Sequence, residues 1–140
     1  MDRCFEVHSP DLFNSTLYPK DYSERLKDCQ MLYLQQAMSE YPQALAYPLD
    51  AVIADVGIDY FQSSVAYMLG LAILEGADEI AIYGVEMADN SEYGYQKPNC
   101  EYLIGLAVGR GIKVSVAGPV CKYTPAPLDI HYPMRYGWDQ

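Results

Sequence analysis

Apolar and polar positions along the chain alternate between a period of two and a period of three to four. Cys4-Phe5-Glu6-Val7-His8 alternates like a short strand and stops at Ser9-Pro10. Residues 9–19, with Pro10, Asn14, Ser15 and Pro19, read as loop. Asp21 to Cys29 has helical spacing through Tyr22, Arg25 and Leu26, with charges of both signs on its outer face. Met31-Leu32-Tyr33-Leu34 is a continuous apolar run, the pattern of a strand covered on both faces. Gln35 to Tyr47, bracketed by Pro42 and Pro48, reads as loop, and Asp50 to Val56 as a short helix stopped by Gly57.

A stronger helical signal runs from Asp59 to Glu75, with Gln62-Ser63-Ser64 in the opening turn and Gly76 as a left-handed cap. Its body, Val65 to Leu74, is apolar all round, so burial on most sides is expected. Ile80 to Tyr83 follows as a buried strand closed by Gly84. Pro98 opens a second long helix that runs to Arg110 with Gly111 as its cap. Gly105 and Gly109, four apart, would let that helix approach a sheet closely. Ile112 to Val116 is the last strand, and the proline-rich remainder is expected to be coil.

Strands alternating with helices across short turns predict an α/β fold with a parallel sheet of about four strands. The expected organisation is a single domain over residues 1–140, with 118–140 a coil-rich extension. The crossover between Asp59 and Val116 should be right-handed.

Composition then narrows the partners. Nine Lys and Arg against nineteen Asp and Glu give a net charge of -10, which argues against nucleic acid and anionic membrane as targets. No stretch reaches the about 18 apolar residues of a membrane span. The first residues lack the basic-then-apolar pattern of a secretory signal, so the cytoplasm is the expected compartment. Cys4, Cys29, Cys100 and Cys121 form no C-x-x-C pair and are expected as free thiols; no metal site and no cofactor is expected.

In a parallel α/β sheet, ligands gather where strand ends meet helix N-termini. His8 and Glu86 leave predicted strands at such ends and are the catalytic candidates, a possible acid–base pair if their strands are neighbours. Ser63 and Ser64 sit where free amides and the helix dipole favour an anion, or simply cap the helix. The loop from Ala88 to Asn99 offers Glu92, Tyr93, Tyr95, Gln96 and Lys97 as ligand-binding groups; each also has an ordinary structural reading. No G-x-G-x-x-G, P-loop or G-x-S-x-G motif is present.

Tyr60-Phe61-Gln62-Ser63-Ser64-Val65-Ala66-Tyr67-Met68, Glu79 to Met87, and Ser91 to Pro98 resemble a family of small bacteriophage proteins. The likeness extends through Glu101 to Gly105 and back to Phe5-Glu6-Val7-His8. That resemblance implies a Rossmann-like core, distantly similar to sialyltransferases and motility-associated glycosyltransferase-like domains. It implies that Ser63, Ser64 and Glu86 fall where a nucleotide or nucleotide-sugar is held. Three departures stand out: the chain starts at the Phe-Glu-x-His strand without the family's preceding glycine-rich turn, Glu86 replaces an aspartate, and Lys97 replaces an arginine. The expected function is binding of a nucleotide-like ligand with transferase-like activity. The alternative is a non-enzymatic acidic protein that binds a host protein. An exposed sheet edge predicts a homo-oligomer with tyrosines at the interface.

Overall fold

The computed structural model describes residues 2–13, 15–85, 87 and 93–117, without the side chains of residues 93, 94 and 117. The chain is a mixed α/β structure whose strands pair in parallel, as the alternation of elements predicts. It forms two compact units, Met1–Asp50 and Ala51–Gln140.

The first unit contains β1 (Arg3–Glu6), α1 (Tyr22–Lys27), β2 (Met31–Leu34) and β3 (Ala44–Ala46), with a 3-10 turn at Pro10–Leu12. Its strand order is β1-β2-β3, with Cys4 opposite Leu32, Phe5 opposite Tyr33 and Glu6 opposite Leu34. Parallel neighbours need a crossover, and here α1 supplies it. The register puts Cys4, Leu32, Glu6 and Leu34 on one face. Leu32 and Leu34 join Phe13, Leu26 and Tyr41 in the core, with Cys4, Tyr22 and Cys29 packed at its margin. On the other face, Phe5 stacks on Tyr33 at 4.9 Å, and Tyr47 meets both rings edge-on.

β3 corrects the expectation of a loop from Gln35 to Tyr47. Pro42 and Pro48 lie outside the three-residue strand, which exists through its ladder with β2 rather than through the propensity of Ala-Leu-Ala. Gln43 Nε2 donates to the carbonyl of Leu26 at 2.9 Å, anchoring the entry to β3 on the end of α1.

The second unit contains α2 (Leu49–Val56, starting at the boundary), α3 (Ser64–Leu74), β4 (Glu79–Tyr83), α4 (Tyr93–Gly109) and β5 (Lys113–Ala117). β4 and β5 pair from Glu79 opposite Lys113 to Tyr83 opposite Ala117. The described strands are therefore five in two ladders of three and two, where a sheet of about four was expected.

Four further expectations are corrected. The helix expected from Asp59 begins at Ser64, because Ser63 is its extended N-cap and accepts from the Ala66 amide at 3.3 Å. Pro98 lies inside α4 instead of opening it, where its ring nitrogen has no hydrogen to donate to the Gly94 carbonyl one turn back. Gly105 and Gly109 are exposed and have no neighbour within 4 Å of where a Cβ would stand, so they mark no close approach. β4 is not buried on both faces: Ile80 and Ile82 are covered while Glu79, Ala81 and Tyr83 are exposed, as in a strand packed on one side. Gly57, Gly76 and Gly111 do end helices with positive φ, the conformation a side chain disfavours. The coil expected over residues 118–140 lies outside the described residues.

Candidate functional site

The carboxyl end of β1 carries the most unusual chemistry among the described residues. Glu6 is only 3% exposed, although a buried carboxylate is costly unless donors replace its water. Three donors reach it. The His8 amide donates to Oε1 at 2.9 Å, and His8 Nδ1 lies 2.6 Å from the same oxygen. The Tyr22 hydroxyl donates to Oε2.

Local sequence explains the arrangement. β1 ends at Glu6, and the chain bends just beyond it so that the amide and the ring of His8, two residues on, both reach back to the Glu6 carboxylate. Gln35 Nε2 donates to the Val7 carbonyl at 2.7 Å and holds the chain between them. Ser9, extended before Pro10, turns the chain into the 3-10 turn, which returns Phe13 to the core. The segment to Pro19 then starts α1, with the Tyr22 amide donating to the Pro19 carbonyl at 2.9 Å. Tyr18 and Tyr22, four apart, stack at 4.2 Å and 15°. That stack carries both phenols to the strand end.

An ionised carboxylate only accepts, so with Glu6 ionised the neutral tautomer that fits the 2.6 Å contact carries its hydrogen on Nδ1. Tyr18 lies with its hydroxyl oxygen 3.0 Å from Nδ1, where it can take a minor share of the same N–H. In that tautomer the lone pair is on Nε2, which has no hydrogen-bond partner among the described residues and belongs to a side chain 57% exposed. Burial, then the bond to Glu6, pushes the Tyr22 phenol well above its usual range. Burial and the nearby Glu6 charge raise Tyr18 as well. Both phenols therefore stay protonated at neutral pH. The resulting unit is an imidazole oriented by a buried carboxylate, an arrangement that accepts a proton at Nε2 while the carboxylate stabilises the imidazolium.

Tyr18 is also one wall of a hollow of about 490 Å³ lined by Phe13, Ser15, Thr16, Pro19 and Lys20. The hollow thus adjoins the Glu6–His8 pair through a shared side chain.

His8 is the predicted site residue that this cluster contains, and the acid beside it is Glu6. Glu86, the partner expected from sequence, lies outside the described residues, as do Glu92 and the Tyr93 side chain. The remaining candidates belong to the second unit. The Ser63 hydroxyl caps α3 and lies 3.6 Å from Cys100 Sγ, so it serves the helix junction; Ser64 is the first residue of that helix. Tyr95, Gln96 and Lys97 stand in the first turns of α4 rather than in a loop. Tyr95 is 74% exposed, and Lys97 lies 3.7 Å from Glu101 one turn on.

Sequence reasoning passed over Glu6, Tyr18, Tyr22, Phe13 and Lys20. For Glu6 the available signal is its place two residues before His8; the alternation sets Phe5 and Val7 as the apolar face, so Glu6 itself reads as outward-facing. Cys4, Cys29 and Cys100 are free thiols, as expected. Among the described residues no group of three ligating side chains could hold a metal ion, and no helix is long and apolar enough to cross a membrane. Comparison with protein-family models, curated proteins and solved structures gave no match.

Proposed function

We propose that this protein binds a nucleotide or nucleotide-sugar and acts as a transferase, with His8 as general base and Glu6 as the group that orients it. The reading includes the finer fold expectation, a Rossmann-like arrangement of the parallel strands. One observation carries it: a buried carboxylate fixes Nδ1 of an accessible histidine at a strand's carboxyl end, beside a hollow of ligand size. In such a transfer, His8 Nε2 takes the proton from an acceptor hydroxyl as its oxygen bonds to the sugar's anomeric carbon. The bond from that carbon to the nucleotide phosphate breaks, and the phosphate leaves with the electron pair. Glu6 keeps the ring in place and stabilises the imidazolium.

A second reading, a non-enzymatic interaction protein, draws support from the second unit. There Val65, Met68, Leu69, Ile80 and Tyr83 help to line an apolar hollow of about 280 Å³, and Tyr83 is 73% exposed.

Thermal-shift titration with nucleotides and nucleotide-sugars, followed by turnover assays with sugar acceptors, separates the two. Stabilisation of the wild type with turnover abolished in His8→Ala and retained in Tyr83→Asp supports transfer. No stabilisation by any of these compounds at millimolar concentration contradicts it.

A further inference from the structure

We infer that the hollow beside Tyr18 is a phosphate subsite, in which Lys20, Ser15 and Thr16 bind the phosphoryl group of the ligand. The inference rests on the nucleotide reading for the ligand's identity but on separate side chains for its anchor. A protein of net charge -10 repels anions at long range, so a phosphate ligand requires a local cation. Among the described residues most other cations are engaged: Arg25 with Asp21, Lys27 with Glu24, Lys97 with Glu101 and Arg110 with Asp55. Lys20 has no ion pair among the described residues and lines the hollow.

Two carboxylates of this unit are already engaged elsewhere. Asp21 is held by Arg25 at 2.8 Å, and Glu6 is occupied by His8 and Tyr22. Two hydroxyls add donors of the kind phosphate oxygens take. The Ser15 hydroxyl oxygen accepts from the Leu17 amide at 3.3 Å, which leaves its O–H free to donate. Thr16 is exposed on the same wall. Phe13 and Tyr18 supply apolar surface for the part of the ligand next to the phosphate. The Tyr18 hydroxyl also lies 3.0 Å from His8 Nδ1, so the hollow and the His8 ring share one side chain.

The test is calorimetric titration of the wild type, Lys20→Ala and Lys20→Arg with inorganic pyrophosphate, uridine diphosphate and uridine, with an amide NMR spectrum confirming that each variant is folded. Lys20→Ala should weaken pyrophosphate and the diphosphate by about tenfold or more, the loss of one charge-assisted contact, while Lys20→Arg retains most of the affinity. Uridine diphosphate binding equally well to Lys20→Ala overturns the subsite and leaves the nucleotide reading standing. Lys20-dependent binding of pyrophosphate without binding of uridine diphosphate supports the subsite and excludes uridine nucleotides as its ligand. If neither phosphate compound binds the wild type, the subsite falls, and the nucleotide reading is then decided by the thermal-shift titration.

Discussion

Among the described residues each unit buries one charged or amide side chain, and the two are satisfied in opposite ways. In the second unit Asn99 is fully buried on α4 and is closed by main chain. It accepts from the Gln62 amide at 3.0 Å and donates to the Tyr60 carbonyl at 3.2 Å, so it ties the segment before α3 to α4. In the first unit Glu6 is closed mainly by side chains that can themselves exchange protons, and one of them reaches solvent. Main-chain partners are fixed and cannot ionise, so the Asn99 arrangement can only hold the fold together. The partners of Glu6 can change their proton count, so its arrangement can do chemistry. Burial of a polar group alone separates nothing; the identity of its partners does.

That contrast predicts unequal responses to substitution. The largest belongs to Asn99→Ala, which removes the partner of the Gln62 N–H and of the Tyr60 C=O, leaves a cavity at a fully buried position, and should cost about 3 kcal/mol in denaturant-measured stability. An unchanged midpoint would remove Asn99 as a structural clamp. Tyr22→Phe should cost less, about 2 kcal/mol, for the loss of one hydrogen bond to a charged acceptor. It also has a pH signature. The folded phenol titrates above its ordinary 10.0, so the folded state binds the proton more tightly than the unfolded chain. Its contribution is complete below pH 10 and is lost as pH rises through the folded value. Tyr22→Phe should therefore flatten the alkaline fall in stability seen in the wild type. A fall of the same size in the variant would show that the Glu6–Tyr22 bond does not carry it.

Much of the fold was legible in the pattern of residues. Met31 to Leu34 is a strand with the expected bounds, and three helices stop at the expected glycines. Local signals of this kind carry their own cause, a continuous apolar run or a backbone angle that suits glycine. What depended on distant partners was not legible. β3 is strand only because β2 pairs with it, and α4 runs through a proline that reads locally as a start. The candidate site divides along the same line. His8 was visible at a strand end. Glu6 was passed over because a carboxylate in an alternating strand reads as outward-facing. Its burial depends on Tyr22, which the loop from Ser9 to Pro19 brings back across the strand end. The sequence shows that loop but not where it returns.

The most direct test of the account reads the His8 ring itself. Long-range nitrogen–proton NMR of the neutral imidazole distinguishes hydrogen on Nδ1 from hydrogen on Nε2. Nδ1–H with bare Nε2 is expected in the wild type, reverting toward the Nε2–H form in Glu6→Gln, where the anionic acceptor is gone. Finding Nε2–H in the wild type, or the same tautomer in both proteins, would contradict the claim that Glu6 prepares His8 to accept a proton.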